Sequence, residues 1–336
     1  MTKKNLASLL LVIVAVYFLA VYQLPYYIYK PGGADALNPI VEVEQGYDSK
    51  GDMHLVTVSG GQATITQYIL AKVLPHHQVV PIEDVFPEGV TDDEYMHVQL
   101  QMMENSQEAS TVVAYEAADK DITIDYNGVY VVSVVEGMPA EGKLAMGDRI
   151  NGIDGKEINE ADDLIEYVEG KKANDTITVE FVRDDKQMTE EIVLKKLADL
   201  GNKPGIGIQL VTDRAVSVNP EVHFSSGNIG GPSAGLMFSL EIYDQLTEAD
   251  LTHGYEIAGT GEIDYDGNVH RIGGIDKKVV AADKEGADVF FAPNEEAGEE
   301  SNYQVARKKA EEIDTDMKIV PIKTFDDALQ YLQDLN

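Results

Sequence analysis

The apolar positions of this chain fall into three patterns along its length. From Leu6 to Leu24 the run LASLLLVIVAVYFLAVYQL holds nineteen residues without a charge, about what a helix needs to cross a ~30 Å hydrocarbon core. Lys3 and Lys4 precede it, and Tyr22, Tyr26, Tyr27 and Tyr29 follow it, the arrangement of a cytoplasmic N-terminus and an outer aromatic belt. One transmembrane helix is therefore expected within residues 1–30, anchoring the rest of the chain outside the cytoplasmic membrane. The run is longer than the roughly 7–15 apolar residues of a cleavable signal peptide, and no small-x-small site follows. Lys30-Pro31-Gly32-Gly33 stops the helix, and a strand-like alternation begins beyond it.

From about residue 35 to 117 the pattern predicts a strand at His54–Val58, helices at Thr64–Leu74 and Asp92–Ser110, and an apolar strand-like run at Val112–Tyr115. No chemistry-bearing motif stands out there, and the segment reads as core. Residues 118–197 change to short strands between glycine-rich turns with one helix, Glu160–Val168. Residues 203–336 alternate again: strands at Gly205–Leu210 and Ala215–Val218, a helix from Ser233 to Gln245, a strand at Tyr255–Ala258, a helix at Asp276–Glu285, a strand at Asp288–Ala292 and a helix at Phe325–Leu332. The class is α/β.

Charge and composition narrow the function. A net charge of −33 over 336 residues repels phosphate, so no nucleic-acid partner is expected. The chain has no cysteine, which excludes a thiol nucleophile, a disulfide framework and a Cys-ligated metal. None of its seven histidines stands in a recognisable triad arrangement around Ser233.

One serine does stand in a chemically telling place. Asn228-Ile229-Gly230-Gly231-Pro232-Ser233-Ala234-Gly235-Leu236 sets Ser233 among glycines just before an apolar, helix-forming run. A serine there faces unpaired backbone N–H groups and the positive end of a helix dipole, which suits a developing oxyanion but equally suits a plain helix cap. The base comes from Ile272-Gly273-Gly274-Ile275-Asp276-Lys277-Lys278. On a helix, Ile275, Lys278, Val279 and Ala282 share one apolar side, so Lys278 points inward. Lys277 shares a side with Lys284 and reads as a solvated surface lysine. Desolvation moves a lysine from ~10.4 toward neutrality, leaving an amine able to take a serine proton, at a cost of about 4 kcal/mol that structure alone seldom tolerates.

These motifs carry a family resemblance. GPSAG at Gly231–Gly235, Gly259-Thr260-Gly261-Glu262-Ile263 and IGGIDKK at Ile272–Lys278 resemble the proteolytic domain of Lon proteases. The resemblance implies Ser233 as nucleophile, Lys278 as base, Thr260 as the residue orienting the lysine amine, and backbone N–H groups around Gly231 and Ser233 as oxyanion hole. The acidic residue that many Lon proteins carry before GPSAG is absent here. Residues 118–197 resemble the PDZ domains of bacterial secreted proteases through Gly128-Val129-Tyr130-Val131-Val132, Gly137-Met138-Pro139-Ala140 and Leu144–Ile153. That implies a peptide-binding loop at Gly128, Val129 and Tyr130, with some of Leu164, Ile165 and Val168 lining the groove.

The expected architecture is thus an α/β (α+β) Lon-type proteolytic domain, residues 203–336 with 35–117 as its N-terminal part. A PDZ domain, a small β-barrel-like sandwich with helices, is inserted at 118–197, and one transmembrane helix precedes the whole. No G-x-x-x-x-G-K-[ST] motif occurs, so proteolysis without ATP is expected on extended or loosely folded chains. The resemblance further implies a peptide ligand for the PDZ groove, a homo-oligomer, and no metal or cofactor. A non-catalytic PDZ scaffold in which Ser233 only caps a helix is the alternative.

Overall fold

The computed structural model describes residues 3–86, 92–197, 201–295 and 301–335. The chain divides into two compact units, one built from Met1–Asp121 with Val218–Asn336 and the other from Ile122–Ser217.

In chain order the first unit opens with α1 (Lys3–Val21), β1 (Gln23–Ala36), β2 (Val41–Val43), β3 (Met53–Thr64), α2 (Ile65–Ala71), β4 (Gln78–Pro81) and α3 (Asp92–Ala117). The second unit comprises β5 (Asp121–Val134), β6 (Arg149–Ile153), β7 (Lys156–Glu157), α4 (Ala161–Glu169), β8 (Thr176–Arg183), β9 (Lys186–Val193), β10 (Lys195–Leu197), β11 (Lys203–Gly205) and β12 (Ile208–Asn219). The first unit resumes with β13 (Val222–Phe224), α5 (Gly235–Leu246), β14 (Ile257–Gly259), β15 (Glu262–Ile263), β16 (Val269–His270), α6 (Ile275–Glu285), β17 (Val289–Pro293), α7 (Asn302–Ile313), β18 (Lys318–Ile322) and α8 (Phe325–Gln333).

The N-terminus corrects the expected membrane span. Among the described residues no helix is long and apolar enough to cross a membrane. α1 opens on Lys3, Lys4 and Asn5 and ends at Val21; the stretch from Leu6 therefore rises only about 24 Å, short of a ~30 Å hydrocarbon core. Of the residues assigned to the membrane by their hydropathy, Tyr22 leads into β1 and Leu24 lies within it. That strand pairs antiparallel with β3 from Gln23↔Thr64 to Ala36↔His54 and with β4 through Tyr26↔Pro81 to Tyr29↔Gln78. Of the tyrosines expected in an interfacial belt, Tyr26, Tyr27 and Tyr29 sit in this ladder, Tyr26 beside Tyr68 and Tyr27 beside Phe86, while Tyr22 stacks on Phe18.

The main sheet of this unit runs β18-β17-β14-β3-β1-β4, parallel from β18 to β3 and antiparallel from β3 onward. β14 pairs with β3 only at Met53–Leu55, so no strand of the described residues covers that edge of β3 beyond Leu55. β17 is buried along its whole length, and Phe290, Val279, Ala282, Ala306 and Ala258 join in one apolar core beneath it, where each buried methylene contributes about 0.8 kcal/mol. α5 has eleven of its twelve residues buried.

Two element expectations change. Val112–Tyr115 is the last part of α3, not a strand, because its side chains are buried on the helix while Ser110 and Thr111 turn their hydroxyls back to the carbonyls of Ser106 and Gln107. Residues 208–219 form the single strand β12.

The second unit has a sheet of order β12-β5-β6-β8-β9, with β7 on β6, and its own core around Val129, Ile150, Ile177, Phe181 and Leu194. Asp148 is 1% exposed. Its carboxylate accepts two bonds of 2.6 Å from Arg183 and one from the Ala145 N–H, so this buried charge is fully paired. The expected peptide-binding loop is corrected: Gly128, Val129 and Tyr130 lie inside β5, Val129 opposite Ile150 and Tyr130 opposite Arg149. The Gly128 N–H already donates to Asn159 O. Gly128 has φ +112°, and a side chain there would strike Ile150 O. Of the three residues expected to line the groove, Leu164 and Val168 are core residues and Ile165 is exposed.

Candidate active site

The segment carrying Ser233 enters α5 from a glycine-rich loop. Ala234 is the helix cap and Gly235 its first residue, so Ser233 lies one position before the cap rather than within the helix. Gly231 has φ +89°, a conformation that favours glycine. The Ser233 carbonyl accepts the Gly261 N–H and the Thr260 hydroxyl, both at 2.9 Å, and Gly261 returns its own carbonyl to the Leu236 N–H. The turn between β14 and β15 therefore clamps the loop that presents Ser233.

Lys278 arrives from α6. Gly274 begins that helix with φ 69°, and a side chain on it would meet Val58 of β3 at 2.8 Å; the chain passes here only as glycine. Lys278 Nζ lies 2.7 Å from Ser233 Oγ and 2.9 Å from Thr260 Oγ1. The residue is 4% exposed, and burial lowers its pKa from 10.5 to about 7. As a free amine it accepts the serine proton and donates to Thr260, which in turn donates to the Ser233 carbonyl. Serine, lysine and threonine form one directional chain with every hydroxyl used.

Gly231 does not offer a free donor in this conformation, as the oxyanion-hole expectation required. Its N–H donates to Gln99 O of α3 at 2.8 Å. α3 touches this loop at two further levels. Ser106 Oγ donates to Pro232 O at 2.9 Å. Ser110 Oγ sits 2.6 Å from Ser106 O and 2.9 Å from Gly235 O, sharing its one proton between them. Segment 35–117, read from sequence as core alone, thus supplies part of the site; its serines carry no motif that would single them out.

Lys277 is also corrected. It is 4% exposed rather than solvated, with Nζ 2.7 Å from Gln78 Oε1 and 3.1 and 3.3 Å from the Asp276 carboxylate. α6 also packs against β1, whose strand partner β4 brings Gln78 to Lys277 across 199 positions of sequence. Around Ser233 opens a cavity of ≈ 810 Å³, walled by the uncovered part of β3 (Val56, Val58), by Tyr27 and Tyr29, and by Met96 and Met103 of α3.

Known proteins meet the chain in two segments. Residues 95–194 match the PDZ domain, beginning inside α3, and residues 207–334 match the Lon protease (S16) C-terminal proteolytic domain. Over these two segments the chain is similar to a PDZ domain and to the proteolytic domain of Lon proteases. Among its relatives are the Lon proteases of Campylobacter concisus, 37% identical over 100 residues (30% of this chain, 12% of that protein), and of Metamycoplasma arthritidis, 34% identical over 113 residues (33% and 13%). The Lon protease of Campylobacter jejuni is 32% identical over 146 residues (41% and 17%). This Lon-like chain therefore spans only 12–17% of the length of those three relatives. The solved PDZ domain of an SdrC-like protein from Listeria monocytogenes is 40% identical, covering 26% of this chain and 90% of that one, with TM-score 0.25.

Proposed function

We propose that this Lon-like protease is an endopeptidase that cuts extended or loosely folded chains through an acyl-enzyme on Ser233, with Lys278 as general base and no requirement for ATP. What carries the reading is the 2.7 Å approach of Lys278 Nζ to Ser233 Oγ at an amine whose pKa burial lowers to about 7. Lys278 takes the Ser233 proton as Oγ attacks the scissile carbonyl carbon. The resulting ammonium returns the proton to the departing amine as the C–N bond breaks. Water, deprotonated by the same amine, then attacks the ester; its collapse frees the acid and restores the Ser233 hydroxyl. Thr260 holds the amine toward the serine.

The uncovered edge of β3 from Val56 onward borders the cavity, so an extended substrate adds there as a strand. Such an edge selects unfolded segments without an unfoldase, because folded chains have no free backbone donors to offer it. The PDZ unit binds peptide ends or presents substrate. Work outside the cytoplasm and homo-oligomerisation belong to the same proposal, supported by the PDZ-then-Lon order of the motifs.

The test is hydrolysis of casein by the full chain without ATP, since truncation at residue 35 would remove nearly all of β1. Wild type is expected to be active, with Ser233→Ala and Lys278→Ala inactive. An inactive wild type whose PDZ unit still binds peptides would favour the scaffold alternative.

A further inference from the structure

We propose that Lys277 is a specificity-determining residue, forming with Gln78 a subsite of the Ser233 cavity that takes an acidic side chain of the peptide substrate. The proposal rests on the endopeptidase reading above.

A buried lysine must be matched by acceptors or it is expelled or neutralised. Lys277 is 4% exposed, and its acceptors are Gln78 Oε1, a neutral group, and Asp276. Asp276 matches the charge incompletely. It lies in the first turn of α6, where the unpaired N–H groups also draw its carboxylate, and its side chain is 37% exposed to water.

Lys277 and Gln78 both line the cavity that holds Ser233. The other charged residues of that lining are Arg271, Glu262 and Lys278; Arg271 is exposed and 3.9 Å from Glu295, and Lys278 is the base. In a chain of net charge −33 this wall carries more basic than acidic groups, and complementary charge selects partners and orients them. Gln78 spends its carbonyl on Lys277, leaving its amide N–H groups for the same incoming carboxylate. Ammonium and amide side by side suit a carboxylate's two oxygens.

The experiment uses the full chain and a set of extended fluorogenic peptides sharing one cleaved bond, with Glu, Gln or Lys placed in turn at each flanking position. At one position Glu is expected to exceed its isostere Gln about tenfold in kcat/KM, the scale of a hydrogen bond to a charged group, with Lys poorer than both. Lys277→Met should bring the Glu/Gln ratio close to one, Lys277→Glu should turn the preference toward Lys, and Lys277→Arg should keep it. Lys50→Met, which removes an exposed lysine remote from the cavity lining, should leave the ratio as in wild type. Should the Lys277 variants fail to fold, the wild-type scan still decides: no position preferring Glu over Gln overturns the proposal, as does a preference that survives Lys277→Met. Cleavage without acidic preference removes this proposal alone, whereas no cleavage of any peptide removes the endopeptidase reading with it.

Discussion

The carbonyl of Gln99 accepts the backbone N–H of Gly231 at 2.8 Å, so α3 occupies a donor two residues before Ser233. A substrate oxygen can use that N–H only when Gln99 has moved away. Stabilisation of an oxyanion by such a donor contributes about 3–4 kcal/mol in serine peptidases, more than the roughly 1 kcal/mol of the helix contact it replaces. Phosphonylation of Ser233 by a fluorophosphonate, with loss of fluoride, should therefore loosen the turn around Gln99. Hydrogen exchange at residues 95–103 is expected to rise on labelling, while Ser106 and Ser110 hold the later turns; unchanged exchange there would mean that Gly231 takes no part.

The dyad predicts a pH profile with a definite sign. Burial holds the Lys278 pKa at about 7, and only the free amine can accept the serine proton, so kcat/KM should climb between about pH 6 and 8 and level off above. Folding follows the same linkage. Below about pH 7 native and unfolded chains are both protonated at this residue and the full desolvation penalty, of order 4 kcal/mol, is present; between about 7 and 10.5 the unfolded chain binds more protons and stability rises with pH. Lys278→Met should unfold at higher temperature than wild type at pH 7, the difference shrinking toward pH 10. A rate profile flat from about pH 5 to 9 would exclude Lys278 as base.

Much of this site was legible because its signals are local. Ser233 is marked by the glycines and proline around it, and Lys278 by its place in the i, i+3, i+4, i+7 pattern of Ile275, Lys278, Val279 and Ala282, which survives whatever the rest of the chain does. What escaped depends on long-range packing. Periodicity assigns a helix one buried side, but α6 is covered on two, and nothing near Lys277 announces Gln78. The tyrosines after Leu24 have the hydropathy of a membrane boundary; only their pairing with β3, some thirty residues on, makes them a strand. Val112–Tyr115 has β-type residues, yet packing on a helix overrides that propensity. The hydroxyls of Ser106 and Ser110 gain meaning only from the loop that folds against them.

Thr260 should behave as a positioning residue. Its hydroxyl bridges Lys278 Nζ and the Ser233 carbonyl at 2.9 Å each, and it is 1% exposed. Thr260→Val keeps the shape but leaves the amine without its acceptor. A fall in kcat of about 10- to 100-fold is expected, the range of a lost orienting hydrogen bond at a general base, with KM little changed. Thr260→Ser should recover most of the rate. Equal losses for Val and Ser would point to packing of the γ-methyl instead.

A second buried ionisable group, Glu241, lets stability be separated from catalysis. It lies inside α5, 4% exposed, and burial, with smaller contributions from Asp244 and Asp52 and against a bond from Gln245, raises its pKa from 4.5 to about 7. Gln245 Nε2 donates to Glu241 Oε1 at 2.7 Å and to Val41 O, while Gln245 Oε1 accepts the Val43 N–H, so the pair ties β2 to α5 whether or not the carboxyl is charged. The sign follows from proton counts. Below about pH 4.5 native and unfolded chains are both protonated and Glu241 adds no pH dependence. Between about 4.5 and 7 the native chain binds more protons, so stability falls as pH rises; above 7 the penalty is complete, about 3 kcal/mol. Glu241→Gln keeps the acceptor for Gln245 and removes the ionisation. Its urea midpoint, followed by tyrosine fluorescence because the chain has no tryptophan, should match wild type near pH 4.5 and exceed it clearly at pH 8. Equal midpoints at both values would show that the carboxylate is solvated in the folded chain, and that α5 breathes enough at that turn to admit water.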